Sequence, residues 1–97
     1  MIGYVSGAVK FIEANNVIID VNGVGYELTC SANTLMDTKK DGSMALWVYT
    51  HVREDALQLY GFSSKVEKKL FESLLKVNGI GPKMAVTILS GASLDKI

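Results

Sequence analysis

Seven consecutive residues, Asn78-Gly79-Ile80-Gly81-Pro82-Lys83-Met84, have the types and the order that can hold an anion through the main chain. A helical apolar pattern runs into them and a second one opens at Pro82, so they form a corner between two helices. Glycines at 79 and 81 allow positive φ and let another molecule come close to the backbone. Proline suits the first position of a helix, where its missing N–H costs nothing. The N–H groups just after it lack partners inside the helix, and the helix dipole favours negative charge beside them. Lys83 falls in this first turn, where a cation opposes the dipole unless something negative stands nearby.

This arrangement resembles a helix-hairpin-helix, a motif that grips DNA phosphates without reading bases. The plainer alternative is an ordinary corner between helices, with the glycines serving as a C-cap. A dinucleotide-binding loop is excluded. It needs a preceding strand and a third small residue in register, whereas here a helix precedes and Met84 stands at the third place.

Elsewhere the chain carries few groups for chemistry. His51 is the only histidine and has no second histidine or cysteine to share a metal, so a place on a strand face is expected for it. No phosphate-binding Walker sequence is present. Cys30 is the single cysteine, which excludes an internal disulfide, and its place in an alternating pattern predicts buried packing. Trp47, Tyr49, Tyr26 and Tyr60 have the chemistry to stack on single-stranded bases. They lie within apolar alternation without interleaved lysines, so core or subunit contacts are expected instead. The adjacent carboxylates Glu54 and Asp55 interrupt two strand patterns, as at a solvated hairpin tip.

Composition bounds these readings. Ninety-seven residues, 48% hydrophobic, suffice for one domain or one domain with part of another. No apolar run approaches membrane-spanning length and no signal peptide opens the chain, which predicts a cytoplasmic protein. The net charge of zero conceals a division. Residues 1–62 carry four basic and seven acidic groups, a net of −3, and residues 63–97 carry six basic and three acidic, a net of +3. The basic part contains the glycine-rich corner, which favours a polyanionic ligand.

The first sixty residues read as β. Residues 2–12 alternate, with Val5, Val9 and Phe11 on one face and Gly3 and Gly7 allowing curvature. Asn15-Asn16 predicts a turn, and Asn22-Gly23 predicts a type I′ hairpin between strands at 17–21 and 24–30. Residues 31–36 suggest a short helical turn and 37–43 a polar loop. Strands follow at 44–53 and 56–60, with Gly61 ending the run. Five short strands fit a small closed barrel of the OB type, with an open antiparallel sheet as the alternative. Beyond Phe62 the period becomes helical. Ser64 and Glu67 have capping-box spacing, with Glu67 reaching back to the N-terminus, and Val66, Leu70, Phe71, Leu74, Leu75 and Val77 form an apolar stripe. A second helix is predicted from Pro82 to a stop at Gly91. Ser93 begins a third that ends after one turn, as in a piece of a longer protein.

VREDALQLYGF at 52–62 and KVNGIGPKMAVTILSG at 76–91, together with MIGYVSG at the start and VNGVGYEL at 21–28, closely resemble the RuvA family, the Holliday-junction-binding subunits of the bacterial branch-migration machine. The resemblance spans nearly the whole chain. It implies an α+β protein, with an OB-fold barrel over 1–62 and the start of a helix-hairpin-helix DNA-binding domain over 63–97. The family's second hairpin and its C-terminal motor-binding domain have no counterpart in these residues. The resemblance also implies a non-catalytic subunit without cofactor or metal, bound to four-way junction DNA as one or two homotetramers. Its partners would be the RuvB motor ATPase and the RuvC resolvase. Glu54 and Asp55 would form an acidic pin that repels phosphates at the crossover. Asn78, Gly79, Ile80, Gly81, Pro82, Lys83 and Met84 would hold phosphates of a duplex arm, with Arg53 and Lys76 as supporting cations. On the residues alone, two other classes stay open: a DNA glycosylase or nuclease whose catalytic groups lie beyond Ile97, and a protein-interaction module.

Overall fold

The computed structural model describes residues 1–91. The predicted third helix, with Ser93 as its cap, and Lys96 lie outside the described residues. Five strands, β1 (Tyr4–Glu13), β2 (Asn16–Val21), β3 (Val24–Cys30), β4 (Ser43–Arg53) and β5 (Ala56–Phe62), alternate inward and outward residues. Among the described residues there are three helices: α1 (Ala32–Met36) between β3 and β4, then α2 (Lys65–Leu75) and α3 (Pro82–Ser90).

The strands close into a barrel in the order β1-β2-β3-β5-β4, which removes the open-sheet alternative. Closure depends on the long first strand changing partners. Residues from Tyr4 to Ala8 pair with β4, and those from Ala8 to Glu13 pair with β2. Where the partners meet, a Cβ on Gly7 would stand 2.2 Å from the Asp20 carbonyl oxygen, so only glycine fits. The other closing contact, β3 to β5, is the one parallel pairing, running from Leu28↔Leu59 to Cys30↔Gly61.

The barrel interior holds Val5, Val9, Val17, Ile19, Leu28, Cys30, Leu46, Val48 and Leu59. Phe11 is not among them. A register shift between Val9 and Phe11 turns Phe11 outward, 45% exposed, and half-buried Ile12 packs on the core instead. Such a bulge inserts one residue and so exchanges the two faces of the strand. Asn22 and Gly23 both have positive φ, 53° and 91°, as the type I′ reading requires. The Asn15-Asn16 turn is displaced by one residue. Ala14 takes the positive φ and Asn16 already belongs to β2. Gly61 does not end β5, which continues to Phe62; Gly61 lies where a Cβ would press on Leu28 and Leu46.

Tyr60 and Phe62 point out of the barrel and build a second core with Phe71, Ala85, Val86 and Leu89 of the two helices. Phe71 is its hub. Its ring centroid stands 4.9 Å from Phe62, 5.4 Å from Tyr60 and 5.2 Å from Tyr49. Trp47 instead pairs with half-exposed Tyr4 at 4.9 Å and carries Lys65 Nζ 5.0 Å above its ring.

The start of α2 departs from expectation. Ser64 does cap it, accepting from the Glu67 N–H at 3.1 Å. The Glu67 carboxylate, however, turns inward and is fully buried, while Val66 is 61% exposed. The buried stripe is therefore Glu67, Leu70, Phe71, Leu74 and Leu75, the i, i+3, i+4, i+7, i+8 set of one helical face. Val77, beyond the C-cap Lys76, is exposed as well.

Candidate nucleic-acid interface

The corner between α2 and α3 is built by short backbone bonds. The N–H of Val77 donates to the Leu74 carbonyl, and that of Ile80 donates to the Val77 carbonyl at 3.2 Å. Half-buried Ile80 packs on the second core and pins the turn, leaving Asn78 and Gly79 exposed. Gly79 has φ +87°, which side-chain-bearing residues rarely adopt. Gly81 differs from the expectation of a second left-handed residue: at φ −94° and ψ 178° it is extended, and it is the N-cap of α3. A Cβ on either glycine would meet nothing within 4 Å. Gly81 is thus required neither by its dihedrals nor by the packing of this chain.

Pro82 opens α3, and Ala85 N–H makes the first helical bond, to the Gly81 carbonyl at 3.0 Å. The N–H groups of Lys83 and Met84 fall in the turn whose donors have no acceptor within the helix. No side chain caps this end and no acidic residue lies in the first turn. The positive end of the dipole is therefore open, with Lys83 exposed beside it.

The β4–β5 hairpin stands opposite. Its strands pair up to Arg53↔Ala56, leaving Glu54 and Asp55 as a two-residue tip, both exposed. Neither carboxylate has an ion-pair partner among the described residues. Strand alternation sends His51 and Arg53 to one face of β4, with Gln58 and Tyr60 beside them on β5. These four line one cleft of about 270 Å³ with Gly81, Pro82, Lys83 and Met84. Burial pushes the Tyr60 phenol up, and the positive charge of Arg53 opposes that shift. On the other face Val52 and Leu57, a cross-strand pair just below the acidic tip, are 62% and 61% exposed.

The structure therefore joins Arg53 to the Gly81–Lys83 corner, although 30 residues separate Arg53 from Lys83 in the chain. Lys76 lies at the other end of the corner as the C-cap of α2, exposed and outside that cleft. His51, Gln58 and Tyr60 were not anticipated as site residues; two-residue alternation with Arg53 was the signal for His51. Trp47 and Tyr4 lie seven and more residues from the tip and do not line the cleft. Among the described residues no group of His, Cys, Asp and Glu is placed to hold a metal ion, and no helix is long and apolar enough to cross a membrane.

Comparison with known proteins gives a consistent answer. The family profile described as RuvA N terminal domain matches residues 1–61. A protein of Bdellovibrio bacteriovorus named Holliday junction branch migration complex subunit RuvA is 56% identical over 93 residues, covering 94% of this chain and 47% of the relative. Proteins of the same name from Acinetobacter baumannii and Acinetobacter baylyi are each 50% identical over 95 residues, covering 98% of this chain and 48% and 47% of their own lengths. The chain thus spans about half the length of the curated relatives it matches.

Proposed function

The chain belongs to the RuvA N-terminal domain family, and from that membership and the geometry of its cleft we propose that it binds four-way DNA junctions by shape. The barrel is an OB-fold over residues 1–62. Residues from 63 onward begin a helical DNA-binding domain whose first helix-hairpin-helix is α2, the corner and α3. The hairpin holds the backbone of a duplex arm. The N–H groups of Lys83 and Met84 donate to a phosphate, the α3 dipole favours it, and the Lys83 ammonium neutralises it. Arg53 adds a second cation from the barrel side, and Lys76 a more distant one.

Glu54 and Asp55 do the opposite. Two exposed carboxylates without cations repel phosphates, so at the centre of a junction they keep the crossing strands apart. Attraction at the arms and repulsion at the crossover select a branched molecule over a straight one. Among the described residues no helix resembles a base-reading helix, and phosphate contacts carry no sequence information, so recognition is independent of sequence. The protein is a non-catalytic subunit. As a homotetramer on the junction it supports the RuvB motor ATPase and works alongside the RuvC resolvase, and it acts in the cytoplasm.

The observation that carries this reading is the single cleft that joins the uncapped, lysine-bearing start of α3 to the stem of the acidic β4–β5 hairpin. The test is a titration of the full-length protein with a four-way junction and with a linear duplex of equal length at one salt concentration. Tighter binding to the junction is expected, and equal affinities would overturn the proposal.

A further inference from the structure

The Glu67 carboxylate is fully buried and meets no cation among the described residues. Its two oxygens each receive a hydroxyl: Ser31 Oγ donates to Oε2 at 2.6 Å, and Thr34 Oγ1 donates to Oε1 at 2.7 Å. Both hydroxyls also accept backbone N–H groups, Ser31 from Thr34 at 3.2 Å and Thr34 from Ser63 at 3.0 Å. Every member is satisfied, as a buried polar network must be if it is not to cost stability.

This network joins three places in the chain: the end of β3, where Ser31 caps α1; the β5–α2 junction at Ser63; and the first turn of α2. The five-residue α1 is too short to hold itself and forms as an adaptor. Its other side reaches α3, where Asn33 Nδ2 donates to the Leu89 carbonyl at 2.9 Å and Ala32 N–H donates to Ser90 Oγ at 3.0 Å. Apolar contact between the barrel and the two helices is non-directional and tolerates sliding. Hydrogen bonds with fixed angles do not.

We infer that Glu67 is a positioning residue for junction recognition. Through Ser31 and Thr34 it fixes the helical pair on the barrel, and thereby sets where the Lys83 corner stands relative to the Glu54–Asp55 tip. The inference rests on the proposed function. A phosphate grip needs only the local corner, whereas choosing a branched DNA needs grip and tip at a fixed separation. Loss of the network therefore affects selectivity more than grip.

The test uses the full-length protein and its Glu67→Gln variant, which keeps the shape but places an NH₂ donor against one of the two hydroxyl donors, while the amide oxygen still accepts from the other. Without DNA, hydrogen exchange at the Thr34 and Ser63 amides is expected to speed up. With DNA, the junction-over-duplex affinity ratio is expected to fall about tenfold, because loosening a supporting shell misplaces a site by fractions of an ångström. The salt dependence of duplex binding stays unchanged. If Glu67→Gln does not fold, Thr34→Val makes the same comparison, with Thr34→Ser expected to restore the ratio. Faster exchange with an unchanged ratio overturns the inference, and that includes the case in which junction and duplex binding weaken by the same factor. A wild-type protein without junction preference would instead sink the proposed function, while the DNA-free exchange would still report whether Glu67 fastens the helices.

Discussion

Gly79 and Gly81 are two residues apart in one turn, yet they occupy different conformational regimes: Gly79 at φ +87° and Gly81 at φ −94°. The difference separates folding from binding. Alanine at 79 must adopt a left-handed conformation, at a cost of about 1–2 kcal/mol. Alanine at 81 meets no steric contact and an ordinary extended backbone, so Gly81→Ala is expected to change stability by no more than about 1 kcal/mol, the scale of an N-cap substitution. If a phosphate approaches the Lys83 and Met84 amides as proposed, the new methyl group would obstruct it. The expected result is at most a small fall in melting temperature, with clearly weaker binding to duplex and junction alike. Undiminished affinity would mean that nothing comes close to the corner.

Lys83 is exposed and has no ion-pair partner among the described residues, so its removal leaves the fold intact. If it neutralises one phosphate, Lys83→Ala flattens the slope of log affinity against log salt by about 0.9, the counterion release of one contact on duplex DNA. Lys83→Glu weakens binding to every sequence. The check is a titration at four or five salt concentrations, and parallel slopes for wild type and Lys83→Ala would remove the contact.

Glu54 and Asp55 are at the tip, beyond the last cross-strand pair. The double substitution Glu54→Gln with Asp55→Asn removes two negative charges without disturbing the hairpin below. Junction affinity is expected to stay the same or rise, while motor-driven branch migration changes. A large loss of affinity would show that the carboxylates attract something rather than repel phosphate.

The parts of the fold that were legible are those fixed by near neighbours. Alternation gives the inward Leu46, Val48 and Thr50 of β4, and Asn22-Gly23 gives its hairpin, because each depends on dihedrals and spacing within a few residues. The illegible parts depend on distant partners. Glu67 has the spacing of a capping box, but its hydroxyl donors lie 33 and 36 residues away, and no local pattern reveals them. Alternation alone sends Phe11 inward, because a bulge leaves no mark in the pattern until the partner strand is known. The same holds for the candidate site. The glycine-rich corner is contiguous and stands out in the sequence, whereas the cleft is made when Arg53 and Gln58 are carried to it by barrel closure.

Cys30 offers a test of the barrel interior that involves no DNA. Burial pushes its thiol from 9.0 up to about 12, with the Gly61 backbone opposing the shift and the nearby Glu67 charge adding to it. A thiol held protonated more tightly in the folded state releases a proton on unfolding at pH values between those two. Its contribution to stability is therefore complete below about pH 9 and is lost as pH rises toward 12. Within that window each pH unit removes up to about 1.4 kcal/mol through this one group. Cys30→Ala should be less stable than wild type at pH 8, because it leaves a small cavity, but its urea midpoint should fall less steeply between pH 9 and 11. Parallel pH profiles for the two proteins would mean that solvent reaches the thiol and that the barrel is open where β3 meets β5.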